Sequence, residues 1–440
     1  MNILVIGSGG REHAIVCSLA ASPLSDTIYV APGNGGSAPG ALNVSPAELD
    51  IKDHAAVVAF ALAHKVELVV VGPEAPLVDG LADSARAAGL DCFGPGAAGA
   101  QLEGSKEFSK ELMERHNIPT ASFGSFTEAG SAHAYIDEQG APIVVKADGL
   151  AAGKGVTVAA TIEEAHAAVD ECFDGRFGAA GATVVIEEFM TGPECSLLVF
   201  TDGTTVLPMA PAQDHKRALE GDEGPNTGGM GVYSPVPIVT NEEHATMLAY
   251  MEQTVAALRA EGIDYRGVLY GGFMLTPNGP KVLEFNARFG DPETQVILPR
   301  LTTDLVEVTR AVAQGRLSEI ELVWDSAWAV SVVLASAGYP GDYETGKPIT
   351  GIEAAEKLAG VTVYHAGTKL LEDNEACEDT ECAAAVVTSG GRVLNVTALG
   401  ATFEGALEQA YKAVELIDFE GKQYRRDIGA RALKGRSAWE

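Results

Sequence analysis

The sequence predicts an α/β protein of three domains, the first of them a doubly wound parallel sheet. The chain has 440 residues, which suits roughly three domains of about 150 residues each. Short apolar runs alternate with helical stretches from Met1 to about Gly99, as in parallel sheets with helical crossovers. Further along, a glycine-rich hairpin marks a second domain, and strands followed by a helix after about residue 326 indicate a small α+β domain at the end of the chain.

The net charge of the chain limits the kinds of partner that we expect it to bind. Acidic residues outnumber basic ones by 61 to 30, which gives a formal net charge of −31. This charge repels the phosphates of nucleic acids and of anionic membranes, so we expect neither as a partner. Six scattered cysteines, the lack of a basic leader and the lack of an apolar run near the ~18 residues of a membrane span predict a cytoplasmic protein.

The order of elements predicts the first domain. Strands are expected at Ile3–Ile6, Ile28–Val30, Leu68–Val71 and Cys92–Phe93. Helices are expected near Arg11–Ala21 and Leu77–Ala88. Strands that alternate with helices in this way imply a parallel sheet.

Three glycine-containing turns follow strands of this domain, at Gly7–Gly10, Ala31–Ser37 and Gly72–Leu77. Open α/β sheets bind ligands at the carboxyl ends of their strands. The first turn opens a helix, so its N–H groups and the helix dipole favour an anion. A dinucleotide fingerprint is disfavoured because Glu12 stands where its third glycine would be. A small phosphorylated ligand fits the turns better.

The second domain begins with a predicted helix near Gln101–His116 and continues into a glycine-rich hairpin. Pro142–Lys146 and Val156–Val158 are expected to pair as strands, with Asp148–Gly155 as the tip. The tip is not a Walker A loop, since Gly155 replaces the required Ser or Thr. Glycines let backbone donors approach a ligand closely, so the tip suits a flap over phosphates. A plain glycine-rich hairpin is the alternative.

Two further segments of this domain carry charge. A strand is predicted to end at Glu187 and Glu188, and Glu194 opens the next strand after a turn. The backbone edge there could receive a purine, and a carboxylate could accept ribose hydroxyls. The long polar loop Ala212–Gly231 contains the charged run Asp214–Arg217. Long loops of this kind are usually functional or disordered, and the charged run favours function.

The run Leu283–Glu293, LEFNARFGDPE, is the strongest signal for a metal site. In an extended segment Glu284, Asn286 and Arg288 share one face, while apolar residues share the other. A carboxylate and an amide oxygen can then converge on Mg²⁺, a cation that takes oxygen ligands and is commonly shared with nucleotide phosphates. A half-buried strand with a salt bridge is the alternative.

The last region is predicted to be a small α+β domain. Strands are expected near Trp328–Leu334, Val361–His365 and Arg392–Thr397, with a helix near Leu407–Ile417. The expected domains are 1–102, 103–325 with a glycine-flap subdomain at about 119–187, and 326–440.

Taken together, eleven motifs resemble the glycinamide ribonucleotide synthetase family of the ATP-grasp superfamily. They are GSGGREHA, GPEAPL, QLEGSK, VVKADGLAAGKGV, IEEF, DHKR, GPNTGGMG, VLEFNARFGDPET, SAGYPG, GGRVLNVTA and YRRDIG. The resemblance implies a central ATP-grasp domain and the ATP-dependent joining of glycine to 5-phosphoribosylamine in purine synthesis. Glycine would be activated as glycyl phosphate, and the products would be glycinamide ribonucleotide, ADP and phosphate. The metal implied is Mg²⁺, with Mn²⁺ also possible.

The resemblance also implies which residues form the site. The metal ligands would be Glu284 and Asn286. The ATP-binding residues would be Lys106, Lys146, Gly153, Lys154, Gly155, Glu187, Glu188, Phe189 and Glu194. The substrate-binding residues would be Gly9, Gly10, Arg11, Glu12, Asn34, Glu74, Asn226, Gly228 and Gly229. The catalytic residues would be Arg288, Asp291, Lys216 and Asp214, with Arg288 on the transferring phosphoryl group and Asp291 on the glycine ammonium.

Two alternatives stay open from the sequence. Another ATP-grasp carboxylate–amine ligase would share the glycine flap and the metal strand, so only substrate-facing motifs such as GPNTGGMG separate the two. A non-catalytic nucleotide-binding protein would leave the shared face of Glu284, Asn286 and Arg288 without a purpose. We expect a monomer or a weak homo-oligomer.

Overall fold

The computed structural model describes residues 1–36, 38–150, 155–176, 178–371 and 386–435. Within these ranges, no helix is both long enough and apolar enough to cross a membrane. The α/β fold class is confirmed, with a parallel sheet at the N-terminal end and antiparallel sheets after it.

The first domain is a five-stranded parallel sheet with the order β3-β2-β1-β4-β5. Its elements are β1 (Asn2–Gly7), α1 (Gly10–Ala20), β2 (Ile28–Pro32), β3 (Ala41–Asn43), α2 (His54–Ala63), β4 (Val66–Val71), α3 (Glu74–Val78), α4 (Leu81–Ala87) and β5 (Asp91–Phe93). Ile3 and Val5 of β1 pack in one core, while Leu4 and Ile6 pack in another. The sheet is therefore covered on both faces, as the doubly wound prediction requires.

Two predicted helices are each broken in two. The helix expected at Leu77–Ala88 is α3 and α4, because Gly80 between them adopts the left-handed conformation with φ 91°. The helix expected at Gln101–His116 is α5 (Ala97–Gly104) and α6 (Lys106–Arg115). Ser105 is extended there, and its hydroxyl accepts a hydrogen bond from Phe108 N as the cap of α6. A glycine and a capping serine, both visible in the sequence, cause the breaks.

The glycine-flap subdomain is a four-stranded antiparallel sheet with the order β6-β9-β7-β8. Its elements are β6 (Phe123–Phe126), α7 (Ala129–Gln139), β7 (Ile143–Ala147), β8 (Val156–Ala159), α8 (Ile162–Glu171) and β9 (Val184–Glu188). The predicted hairpin is confirmed as β7 and β8. Gly153 and Lys154 of its tip lie outside the described residues.

The rest of the central domain is built on an antiparallel sheet, β11-β10-β16-β17. The elements are β10 (Glu194–Thr201), β11 (Val206–Pro208), β12 (Gln213–Asp214), β13 (Arg217–Leu219), β14 (Glu223–Asn226), β15 (Gly231–Ser234), α9 (Asn241–Ala260), β16 (Gly267–Thr276), β17 (Gly279–Asn286), α10 (Thr294–Ile297) and α11 (Leu305–Ala313). The loop predicted at Ala212–Gly231 has structure of its own, since β13 and β14 pair within it as a hairpin.

The C-terminal sheet shares strands with the central region. Its elements are β18 (Trp328–Ala335), α12 (Ile352–Glu356), β19 (Val361–His365), β20 (Thr368–Leu370), β21 (Val386–Thr388), β22 (Arg392–Gly400), α13 (Phe403–Leu416) and α14 (Ala430–Lys434). The sheet order is β12-β15-β18-β22-β19. Strands from the polar loop thus extend the C-terminal sheet, which ties that loop to the last domain.

Candidate active site

The predicted metal strand is β17, and its geometry separates Arg288 from the other two residues. Glu284 and Asn286 lie in the strand, opposite Gly272 and Tyr270 of β16. The strand ends at Asn286, so Arg288 lies just beyond it. Phe285 is buried in the core, as the alternation predicts. The side chain of Glu284 keeps 42 % of its surface exposed, so its carboxylate can reach a ligand.

The charge state of Glu284 suits a cation site. Its Oε1 lies 3.8 Å from Lys216 Nζ. Burial raises the pKa of Glu284, but the positive side chains around it outweigh burial and hold that pKa below its usual value. In order of decreasing effect they are Lys216, Lys146, Lys106 and Arg288. Glu284 is therefore an ionised carboxylate in positive surroundings.

Lys216 and Asp214 lie on the same side of this site. Lys216 Nζ is 2.9 Å from Glu194 Oε2, so the lysine bridges two carboxylates. Burial lowers the pKa of Lys216, but these acidic neighbours raise it well above its usual value. The pKa of Asp214 is raised as well. Burial and the neighbouring glutamates raise it, while Lys216 opposes them. Asn226 lies nearby in the chain, on β14.

Arg288 is held by two carboxylates from the first part of the chain. Its Nη2 donates to Glu103 Oε1 at 2.6 Å, and its Nε donates to Glu74 Oε2 at 3.4 Å. Glu103 also accepts from the backbone N–H of Ala287 at 2.8 Å. Assigned so that its NH₂ donates, the Asn286 amide lies 3.2 Å from Glu103 Oε1, the oxygen that also accepts from Arg288. That assignment leaves the amide oxygen of Asn286 as the atom available to a cation.

Lys146 and Lys110 share one buried carboxylate. Glu187 lies between Lys146 Nζ at 2.8 Å and Lys110 Nζ at 2.9 Å. Burial raises the pKa of Glu187, but the two lysines lower it further than burial raises it. Burial lowers the pKa of Lys110 to about 8, against the opposing effect of Glu187. Because this carboxylate is engaged by lysines, the assignment of Glu187 to adenine stays a prediction.

The other predicted ATP-binding residues line the neighbouring strands and the flap. Lys106 Nζ donates to Gly149 O at 2.9 Å, and burial lowers the pKa of Lys106 although Glu284 opposes this. Glu188 is exposed and accepts from Lys281 Nζ at 2.9 Å. Phe189 keeps 40 % of its surface exposed. Gly155 accepts from Ala147 N at 2.8 Å and so closes the base of the hairpin.

Asp291 joins all three domains. Its carboxylate lies 3.1 Å from Arg392 Nη2 and accepts from Gln295 Nε2 at 2.8 Å. A side chain at Gly9 would come within 3.5 Å of the same carboxylate. Burial raises the pKa of Asp291, but Arg392 and Arg11 hold it below its usual value. The aspartate is therefore ionised.

Arg392 also reaches the GPNTGGMG motif. Its Nη1 donates to Gly228 O at 2.6 Å and to the backbone oxygen of Asp291 at 3.0 Å. Gly229 follows with φ +110°, a conformation that residues with a side chain rarely adopt. A side chain there would also approach Pro292 Cδ to 2.5 Å. Gly228 and Gly229 are thus packed closely against the segment that carries Asp291.

The predicted substrate residues of the first domain hold one another. Glu12 accepts from Gly9 N at 2.6 Å and from Arg11 Nε at 2.5 Å. Asn34 Nδ2 donates to Ser8 O at 2.9 Å and to His365 O of the last domain at 2.8 Å. Burial raises the pKa of Glu74, but Arg288 and Arg11 lower it by more.

The structure thus brings the predicted residues into two neighbouring groups. One group surrounds Glu284 and includes the lysines, and the other surrounds Asp291 and includes the first glycine turn. Arg288 connects the two groups, since it pairs with Glu74 of the second group and its charge lowers the pKa of Glu284 in the first. Across the described ranges, no group of three or more His, Cys, Asp or Glu side chains could hold a metal ion. The pair Glu284 and Asn286 suits Mg²⁺ instead, which keeps waters and phosphate oxygens as its other ligands.

The sequence analysis missed three residues of this site: Glu103, Lys110 and Arg392. Glu103 and Arg392 lie inside the motifs QLEGSK and GGRVLNVTA, so a signal for them was present. Lys110 lies four residues after Lys106 on α6, and therefore on the same helix face. That spacing could have indicated a second lysine in the site.

Family models match nearly the whole chain. Their descriptions are phosphoribosylglycinamide synthetase N domain for residues 1–103, ATP-grasp (A) domain for residues 104–294 and C domain for residues 329–431. A phosphoribosylamine–glycine ligase from Nostoc is 54 % identical over 98 % of the chain and 99 % of the relative. One from Brucella melitensis is 52 % identical over the full length of both chains.

Solved structures show the same architecture. The crystal structure of phosphoribosylamine–glycine ligase from Thermotoga maritima has a TM-score of 0.80 at 31 % identity, and the match covers 97 % of this chain and all of that one. A biotin carboxylase domain from Hydrogenobacter thermophilus has a TM-score of 0.69 at 17 % identity, over 96 % of this chain and 91 % of that one. The second likeness is one of fold alone.

Proposed function

Because the chain belongs to the phosphoribosylglycinamide synthetase family, we infer that it is an ATP-dependent phosphoribosylamine–glycine ligase of purine biosynthesis. Relatives of that name match it over essentially their whole length at 52–54 % identity. The geometry that best supports this activity is the placement of Glu284 among three lysines, with Arg288 connecting it to the first domain. A non-catalytic nucleotide-binding protein would not need that arrangement.

The chemistry requires a good leaving group on glycine. A carboxylate reacts poorly with an amine, so the glycine oxygen first attacks the γ-phosphorus of ATP, and ADP leaves. The amine of phosphoribosylamine then attacks the carbonyl carbon of glycyl phosphate, phosphate leaves, and the nitrogen loses a proton. Positioning and the stabilisation of negative charge supply most of the catalysis in such phosphoryl transfers.

Glu284 and Asn286 would hold the divalent cation. Their oxygen donors fit Mg²⁺ better than a soft metal, and Mn²⁺ is an acceptable replacement on the same chemistry. The cation supplies charge neutralisation for the phosphates when bound. Lys106 and Lys146 would contact phosphate oxygens, and Gly153, Lys154 and Gly155 of the hairpin tip would bind ATP with them.

The adenosine end of ATP would lie against β9 and the turn after it. Glu187, Glu188 and Phe189 would line the adenine, and Glu194 would accept the ribose hydroxyls. The partly exposed ring of Phe189 supports this placement. Its neighbour Glu188 is equally accessible, with 41 % of its side chain exposed.

Arg288 would stabilise the transferring phosphoryl group. Its ion pairs with Glu103 and Glu74 hold the guanidinium in place for this role. Asp291 would bind the glycine ammonium, because its carboxylate is ionised and lies beside the first glycine turn. Lys216 and Asp214 would be catalytic residues beside Glu284. These roles are consistent with the charge state of each group.

Phosphoribosylamine would bind at the first domain. Its phosphate suits Gly9, Gly10 and the start of α1, since a helix N-terminus favours an anion. Arg11, Glu12, Asn34 and Glu74 would fix that turn and the ribose, while the turn Asn226–Gly229 would close the site from the other side. We further propose a cytoplasmic location and a monomer or weak homo-oligomer.

The test is ADP release by the full chain with Mg²⁺ and ATP. Glycine and freshly generated phosphoribosylamine are supplied together and then omitted in turn. ADP that forms only when both are present supports the proposed ligase. ADP that forms with a different acid or amine would replace this substrate pair, and no ADP under any combination would contradict the ligase itself.

A further inference from the structure

The C-terminal segment Arg425–Gly429 is hydrogen-bonded to the hairpin β13–β14. The hairpin directly follows Lys216 in the chain. The hairpin is largely exposed; Leu219, for example, keeps 55 % of its surface. Residue 216 immediately precedes β13, so a movement of the hairpin would displace Lys216 from Glu194 and Glu284. The position of this exposed hairpin therefore matters to the site.

Arg425 makes the central contact. Only 2 % of its side chain is exposed, although it carries a charge. Its Nη1 donates to Arg217 O and to Asp222 Oδ1, both at 3.0 Å. Its Nε and Nη2 donate to the two carboxylate oxygens of Asp427 at 2.8 and 2.7 Å. The guanidinium thus binds the hairpin on one side and its own segment on the other.

Two further hydrogen bonds join the segment Arg425–Gly429 to the hairpin and to His215. Gly221 N donates to Asp427 Oδ2 at 2.9 Å. Gly429 N donates to His215 Nε2 at 3.1 Å. Burial and the nearby Arg425 lower the pKa of His215 to about 4, so its ring is neutral and able to accept that bond. The segment therefore holds both the hairpin and the residue that precedes Lys216.

The segment itself rests on a stable element. Tyr411 of α13 donates from its hydroxyl to Arg425 O at 2.9 Å and accepts from Ile428 N at 3.1 Å. Helix α13 packs on the C-terminal sheet through Ala406, Ala410 and Val414, all of which are buried. The chain of contacts therefore runs from α13, through Arg425, to the hairpin and Lys216.

We propose that Arg425 is a positioning residue, by which the C-terminal domain fixes the hairpin β13–β14 and hence the placement of Lys216. The proposal rests on the ligase function proposed above only for its effect on activity. Its structural part, that Arg425 restrains the hairpin, stands separately.

The test compares Arg425→Lys with the matched control Arg426→Lys in the full chain. Lysine keeps the charge but cannot reproduce the planar fork that reaches three partners. Arg426 is exposed, and its guanidinium lies 5.5 Å from the centre of the Tyr424 ring. Its backbone N–H donates to Glu220 Oε1 at 3.2 Å, a bond that a lysine at this position keeps, so Arg426→Lys changes a neighbouring arginine and leaves the contacts of Arg425 in place. Hydrogen exchange of the amides in 217–226, the kcat/KM for glycine, the Kd for ATP and the melting temperature are measured for each.

We expect Arg425→Lys to accelerate exchange in 217–226 about tenfold and to lower kcat/KM by about tenfold, on the scale of lost hydrogen bonds to charged groups. The Kd for ATP should stay within about twofold, because the proposed ATP and metal ligands lie on elements other than the hairpin, among them α6, β7, β10 and β17. Arg426→Lys should match the wild type in all four measurements. Unchanged exchange, faster exchange without loss of activity, or a joint fall of ATP binding and activity with melting temperature would each overturn the proposal.

Asp222→Asn provides a second route if Arg425→Lys does not fold. Asp222 has φ +58°, and asparagine tolerates that conformation, so the backbone is preserved. The same faster exchange in 217–226 with the same selective loss of activity is expected, and its absence would overturn the proposal. If the wild type shows no ligase activity, the exchange measurement alone still decides whether Arg425 restrains the hairpin.

Discussion

Replacement of Glu284 by alanine tests the metal assignment most directly. The folded state should tolerate the change, because the side chain is 42 % exposed and Lys216 keeps its closer partner Glu194 at 2.9 Å. A half-exposed ion pair contributes at most about 1 kcal/mol. We therefore expect the melting temperature to fall by less than about 4 °C.

The effect on turnover should be much larger than the effect on stability. Loss of one preorganised electrostatic group typically costs about 100- to 1000-fold in rate, or about 3–4 kcal/mol. Glu284 is one of only two predicted metal ligands, so we expect kcat/KM to fall by at least about 100-fold. Excess Mg²⁺ should restore part of the loss if the residual site still binds the cation weakly.

The assay is ADP release with glycine and phosphoribosylamine over a range of Mg²⁺ concentrations. Glu261→Ala is the matched control, since it removes a glutamate paired with Arg115 at 3.1 Å, at the opposite end of α6 from Lys106. The control should keep wild-type turnover. Turnover of Glu284→Ala within about threefold of the wild type, with an unchanged Mg²⁺ dependence, would refute the reasoning.

Three further changes test other parts of the structure. Lys110→Met leaves Glu187 with one lysine in a buried site, so the Kd for ATP should rise by about tenfold or more and urea unfolding should show a loss of about 3 kcal/mol; an unchanged Kd would separate Glu187 from nucleotide binding. Gly10→Ala places a Cβ 2.5 Å from Asn395 Oδ1, so the KM for phosphoribosylamine should rise and stability should fall by about 1–3 kcal/mol; a wild-type KM would argue against a substrate at this turn. His215 has its pKa lowered to about 4, so as pH falls from about 6.5 to 4 the unfolded state binds a proton that the folded state does not, and stability should fall by about 3 kcal/mol. His215→Gln should lack that part of the pH dependence in denaturant titrations, and an identical slope would contradict the buried neutral ring.

Local patterns predicted the elements well where turn chemistry and periodicity agreed. The hairpin β7–β8 follows from two apolar runs around a glycine-rich tip, and the N-terminal sheet follows from strands that alternate with helices. The errors occurred at helix interruptions. Periodicity alone predicts Gly80 and Ser105 to lie inside helices, whereas the positive φ of Gly80 and the capping role of Ser105 interrupt the helices there.

The contacts within the site could not be predicted from local sequence patterns, because they join residues that are far apart in the sequence. Arg288 and Glu103 are separated by 185 positions, and Arg392 and Asp291 by 101. Periodicity reports which residues share a face of one element, and says nothing about which element lies opposite. The family resemblance placed Arg288 and Asp291 in the site, whereas Glu103 and Arg392 required the tertiary structure.

The charges around the site explain how a protein with a net charge of −31 can take a polyanionic substrate. Its cations are engaged by its own carboxylates: Lys216 by Glu194, Lys146 by Glu187, and Arg288 by Glu103. A bare phosphate would have to compete with these carboxylates for the same cations. A phosphate that arrives with a divalent cation brings a positive partner that the ionised Glu284 can accept, so the exchange costs less electrostatically. On this argument the metal is required for nucleotide binding as well as for the chemical step, and the dependence of the Kd for ATP on Mg²⁺ should be steep.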